Sequence, residues 1–224
     1  MGNLLAPAPF DFSAIFKSII TRWYLYIALV VVIMAVVIFV CVKKPPKRNN
    51  LTSTQKIAYI SILTALSVAV NILQIPFPLV QLSFVATVAF LAGVLLGPIE
   101  GFTVAIVGDL IAGIIAPTGI YSPVIAIGTS LFGFIPGVIF AYFKGKVLLK
   151  AIITYAITFV LSSVLINTIG LCMIYTSIVL VEKVALLPLN LAFHAVNCVV
   201  SILLLTAIRR IFPQNKFYID KYVN

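Results

Sequence analysis

Seven apolar segments, most of them near 20 residues long, follow one another along this 224-residue chain with little between them. They fall at about 23–42, 56–75, 82–96, 102–116, 122–143, 151–175 and 184–208. An apolar run of ~20 residues, coiled as an α-helix, matches the hydrocarbon thickness of a bilayer. None of the runs shows the alternation of apolar and polar residues that marks a half-buried strand. In lipid every backbone N–H and C=O must be satisfied inside the structure, which leaves helices or a closed barrel. The chain therefore reads as an all-α membrane protein. Charged residues make up 9% of it, against about a quarter in soluble domains.

The basic residues set an orientation. Lys43, Lys44, Lys47 and Arg48 follow the first segment; Lys144, Lys146 and Lys150 separate the fifth and sixth; Arg209 and Arg210 end the seventh. Counted in alternate connections, these clusters fall on one side, and Lys183 is the lone cation in the loops on the other. The positive-inside rule makes the basic side cytoplasmic. The N-terminus is then outside and the C-terminus cytoplasmic, in a multi-pass protein of the cell membrane. Four regions follow: an N-terminal segment with an extra transmembrane helix (1–42), a basic cytoplasmic linker (43–55), a six-helix core (56–212) and a cytoplasmic tail (213–224). The net charge of +10 is explained by these flanks against anionic lipid, so no nucleic-acid partner is expected. No glycine-rich phosphate loop is present, and the spans leave no room for an ATP-binding domain.

Glycines and alanines spaced by four residues mark close helix approaches. Gly93, Gly97 and Gly101 form one such set, Gly133 and Gly137 a second, and Ala65 and Ala69 a third. Small residues let helix backbones come together in lipid. Packing inside one bundle explains the glycine sets. The alanine pair, on the first core helix, is a candidate docking face for a partner subunit.

Polar groups inside spans are costly, and an ionisable one is a functional candidate by default. Asp109 is the one acid within the core helices away from their ends, and His194 is the one histidine. Their depths are similar, so the two could pair. Asn71, Gln74, Gln81, Asn167 and Asn190 fall in the outer half under the orientation above, with Asn197 near mid-depth. Buried polar groups need partners, and their concentration at one end points to a solvated cavity open to the outside. Thr118, Tyr121, Tyr175 and Phe77 border that region and could wall a small polar ligand. The substrate-binding candidates are Asn71, Gln74, Asp109, Thr118, Tyr121, Asn167, Tyr175 and His194. No cofactor is implied. Cys41, Cys172 and Cys198 show no metal-ligand spacing and read as small apolar filler.

Other classes fit less of the sequence. A stand-alone secondary carrier would use Asp109 and His194 as a proton relay. A structural or assembly protein would need no ligand. Ser130 and His194 raise an intramembrane serine protease, but Ser130 lacks the following glycine that those enzymes carry.

The block from Leu91 to Tyr142 carries Leu96-Gly97-Pro98 with Gly101, Gly108-Asp109-Leu110, Pro117-Thr118-Gly119, Pro123, and Gly133 with Pro136-Gly137. With these motifs it resembles the substrate-binding S components of energy-coupling factor (ECF) vitamin transporters, the folate-type branch above all. Asn167-Thr168 and Met173-Ile174-Tyr175 extend the likeness. The resemblance implies a six-helix S-component core that captures a water-soluble vitamin near the outer face. Its implied partners are a transmembrane coupling subunit and two ATP-binding subunits, with Ala65 and Ala69 meeting the coupling subunit. The extra helix at 23–42 is a departure from that pattern. So is the lack of an arginine near the outer end of the first core helix, where the sequence reads Val70-Asn71-Ile72-Leu73-Gln74.

Overall fold

A computed structural model describes residues 51–76, 81–116, 121–143, 145–174 and 185–211. The expected extra helix at 23–42, most of the linker, the C-terminal tail, Phe77, Thr118, Lys144, Tyr175 and Lys183 lie outside the described residues.

Helix α1 (Ser53–Ile72) begins earlier than hydropathy alone implies, because Thr52 and Gln55 form a capping box. Gln55 N–H donates to Thr52 Oγ1 at 3.4 Å, and Thr52 N–H donates to Gln55 Oε1 at 3.2 Å. Two orphan donors are thus satisfied outside the hydrophobic layer. After α1, a two-residue antiparallel ladder joins β1 (Ile75–Pro76) to β2 (Gln81–Leu82).

Helix α2 (Val85–Leu96) and helix α3 (Pro98–Ile115) share one junction residue, Gly97, at φ 120°. That backbone state strains any residue with a Cβ. Pro98, with φ already fixed and no N–H to satisfy, starts α3 immediately. The inner turn expected over 97–101 therefore shrinks to Gly97. Helix α4 (Pro123–Tyr142) starts in the same way at Pro123.

The next span is one rod in three parts: α5 (Val147–Thr158), a π-helical stretch (Phe159–Ile166) and α6 (Asn167–Ile174). Thr154 Oγ1 donates to Lys150 O at 2.7 Å, and Thr158 Oγ1 donates to Thr154 O at 2.8 Å. Such back-bonding competes with the main-chain ladder and bends helices, and the π stretch follows directly. Helix α7 (Leu187–Ile211) completes the described chain.

Among the described residues, five helical stretches are long and apolar enough to cross a membrane. The 12-residue α2 spans only about 18 Å. It lies in the middle of the bundle, with every residue but Ala86 buried.

Contacts fix the register. Helices α1 and α3 run parallel: Lys56 pairs with Glu100, Ser67 meets Gly108, and Asn71 bonds Asp109. Helix α4 runs antiparallel to α3, with Gly133 on Gly101 and Tyr121 on Gly113. The α5–α6 rod lies antiparallel to α7 through Tyr155–Ser201 at 2.6 Å and Ser163–His194 at 3.2 Å. This register gathers all the described basic residues, Lys56, Lys146, Lys150, Arg209 and Arg210, at one end. Asn71, Asp109, Tyr121 and Asn167 lie toward the other.

The basic half is closed by apolar packing. Phe90 meets Phe140 edge-on at 5.7 Å and Tyr155 at 5.5 Å, among Val94, Ile139 and Leu205. The expected role of the glycine sets holds. A Cβ on Gly101 would stand 2.5 Å from Gly93 Cα, and one on Gly137 would stand 2.5 Å from Pro98 Cα. A Cβ on Gly133 would overlap the Gly101 carbonyl. Helices α2, α3 and α4 thus touch backbone to backbone. Ala65 and Ala69, in contrast, are exposed on α1.

Candidate functional site

The polar end is built from the last turn of α1, the outer half of α3, the start of α4 and the α6 segment. Asn71 is buried, and its Nδ2 donates to Asp109 Oδ1 at 3.1 Å. Only the amide nitrogen can donate to a carboxylate, so the side-chain oxygen of Asn71 is left as an acceptor. One turn beyond Asp109, Gly113 provides the seat for Tyr121: a Cβ there would stand 3.0 Å from the Tyr121 ring. The ring is half-buried just ahead of α4, within the field of Asp109. Burial, and then the Asp109 carboxylate, push the Tyr121 phenol up to about 12. Tyr121 is therefore a neutral hydroxyl at any physiological pH, able to donate or accept.

Asn167 opens α6, directly after the π stretch. Its Oδ1 is buried and has no hydrogen-bond partner among the described residues. Gly128 on α4 makes room for it, since a Cβ there would stand 2.8 Å from that oxygen. Ser122 Oγ, at the N-cap of α4, is likewise buried without such a partner. Gln74 follows α1 and leads into the ladder; its N–H donates to Asn71 O at 3.3 Å.

His194 belongs to a different group. Its Nδ1 lies 3.0 Å from Asn190 O, which can only accept, so Nδ1 carries the proton. Its Nε2 then accepts from Ser163 Oγ at 3.2 Å. Phe132 and Phe159 flank the ring at 5.1 and 5.2 Å. The Asp109–His194 pairing that similar depth allowed is replaced by Asn71–Asp109 and Ser163–His194, because α1 packs on α3 and the π stretch turns Ser163 toward α7. The carrier's proposed relay loses its direct link. The protease pair is not assembled either: Ser130 Oγ donates to Ala126 O at 2.6 Å, while His194 engages Ser163. Asn197 is a structural amide, bonded to Thr87 Oγ1 at 2.8 Å and to Phe193 O at 3.1 Å.

Sequence reasoning passed over Ser122, Ser163 and Gly113. Ser163 carried a signal, standing four residues before Asn167 on the same helical face. Gly113 carried none, because its role depends on where the Tyr121 ring lands. Thr118 and Tyr175, expected at this end, lie outside the described residues.

Comparison with known proteins assigns this architecture. The family model described as the ECF-type riboflavin transporter, S component, matches residues 50–210. The chain belongs to that family. S components are the vitamin-binding parts of ECF transporters, and the sequence resemblance to them is upheld. The S-component fold also appears in solved structures. A crystal structure of FolT bound with folic acid aligns with TM-score 0.57 at 20% identity, covering 66% of this chain and 93% of that one. The S component of a bacterial ECF transporter aligns with TM-score 0.56 at 22% identity, covering 71% and 98%. No curated protein sequence matches the chain.

Proposed function

We propose that this S component captures an uncharged, N–H-bearing vitamin heterocycle at the outer face of the cell membrane, with riboflavin as the first candidate. A coupling subunit and two ATP-binding subunits then drive uptake. The core has six helices, α2 included, with the 23–42 segment as an added N-terminal helix. The N-terminus lies outside and the C-terminus in the cytoplasm.

The observation that carries this reading is the separation of charge in the bundle. Every described cation lies at the end opposite Asp109, Tyr121 and Asn167. The described polar end offers a carboxylate, amides and hydroxyls. Acceptors of that kind suit the N–H edge of a heterocycle. A dianionic glutamyl tail needs charge-assisted donors, and among the described residues the polar end has no Lys or Arg to supply them. Asp109 and Tyr121 contact the ligand in this reading, Asn167 offers its buried oxygen, and Asn71 orients Asp109. Gln74, Thr118 and Tyr175 are further candidate contacts, and His194 holds Ser163, one turn before Asn167.

Riboflavin titration of the purified chain tests the site, by calorimetry or flavin fluorescence quenching. Losing a partner from a buried polar contact costs about 1–3 kcal/mol, more where a charge is involved. Asp109→Ala is therefore expected to weaken binding at least ~10-fold, and Tyr121→Ala to weaken it by removing an aromatic wall. Unchanged affinity in both variants would put the site elsewhere.

Orientation has its own test. Thr118→Cys should react with a membrane-impermeant maleimide in intact cells, while Arg210→Cys should react only after the membrane is opened. The reverse labelling pattern sinks the assignment of sides.

A further inference from the structure

Helix α1 is attached to the bundle differently along its two halves. Toward the basic end, Tyr59, Ile60 and Leu63 pack against the apolar core, and Lys56 pairs with the buried Glu100. The two buried residues of α1, Ser67 and Asn71, both lie beyond Leu63. Ser67 fits against Gly108 so closely that a Cβ there would stand 2.5 Å from its Oγ, yet Ser67 Oγ has no hydrogen-bond partner among the described residues. Its contact is steric. A directional attachment of this half is the bond from Asn71 Nδ2 to Asp109 Oδ1. The opposite side of the same half carries the exposed Ala65 and Ala69.

We propose that the Asn71–Asp109 hydrogen bond is a ligand-operated latch on α1. This rests on the reading that Asp109 contacts the ligand. A ligand N–H that engages the Asp109 carboxyl group competes with Asn71 for the same acceptor oxygens and weakens its hold. The outer half of α1 then shifts about the Ser67–Gly108 contact, while Lys56–Glu100 and the apolar core hold the inner half. Ligand occupancy at one end is thereby written onto the Ala65/Ala69 face. Asn71 is a positioning residue, acting through Asp109. A ligand changes an equilibrium only through differential interaction with its two states, and the shared carboxylate supplies that difference.

Spin labels at Ala69→Cys and Val199→Cys report the separation of outer α1 from α7, with the native cysteines replaced by alanine in every arm. Pulsed dipolar spectroscopy is run on the full chain in lipid nanodiscs. Without riboflavin, Asn71→Leu should raise the displaced α1 population about three- to twenty-fold, the range an interhelical hydrogen bond in a membrane supports. Asp109→Leu breaks the same bond from the other side and serves if Asn71→Leu is not recovered folded. The exchanged pair Asn71→Asp/Asp109→Asn restores a donor and an acceptor and should return the native distance, which a merely structural defect at either site would not do. Riboflavin added to the otherwise unmodified labelled chain should move the distance in the same direction as Asn71→Leu. A native distance in the latch-breaking variants overturns the proposal, as does riboflavin binding, confirmed by calorimetry, that leaves the distance unchanged. Failure of riboflavin to bind overturns the ligand assignment instead, and the variant arms still decide the latch.

Discussion

Gly133→Ala is expected to lose most of the folded protein, although it adds a single methyl group in the middle of a membrane helix. The new Cβ would overlap the Gly101 carbonyl carbon and oxygen on α3. Overpacking a core costs typically about 1–3 kcal/mol when side chains can give way. Here the obstacle is backbone, and Gly93 on α2 in turn packs against the Gly133 carbonyl and against Gly101, so α2, α3 and α4 must separate together. The loss should reach ~3 kcal/mol or more. Size-exclusion chromatography after heating the detergent-solubilised protein measures it, and little monodisperse protein should be recovered. A variant that survives heating like the wild type would show that the helices can move apart freely at this seam.

Ala65→Trp is expected to abolish uptake while leaving riboflavin affinity of the isolated chain within about twofold. Ala65 and Ala69 are exposed on α1, opposite the side that meets α3. With no apolar driving force between helices in lipid, close backbone approach provides the association energy, and an indole ring prevents it. Vesicles holding the coupling and ATP-binding subunits with the variant should accumulate no labelled vitamin, and the variant should fail to co-purify with those subunits. If affinity and uptake fall together, the alanine face belongs to internal packing and the docking assignment is wrong.

These two substitutions show what small residues at four-residue spacing leave open. The pattern is the same at Gly93/Gly97/Gly101, at Gly133/Gly137 and at Ala65/Ala69. Spacing says that a helix is approached closely; it does not say by what. Only the bundle assigns the glycines inward and the alanines outward. The π stretch at Phe159–Ile166 was similarly invisible, because an uninterrupted apolar run has the same hydropathy whether its turns hold 3.6 residues or slightly more. That extra width turns Ser163 to His194 and brings Asn167 over Gly128, changing which polar groups share a site.

Sequence alone determined that the chain lives in lipid as helices, because long apolar runs with few charges leave the backbone no other solvent. It determined which helix ends lie together, because charge alternates from one connection to the next. It also singled out Asp109 as the carboxylate to explain, because burying such a group in a span demands a partner or a ligand. Which partner was a tertiary question. Asp109 and His194 are similar in depth, but depth fixes only one of three coordinates. The packing of α1 against α3 gave Asp109 to Asn71, and the turn of the α5–α6 rod gave His194 to Ser163.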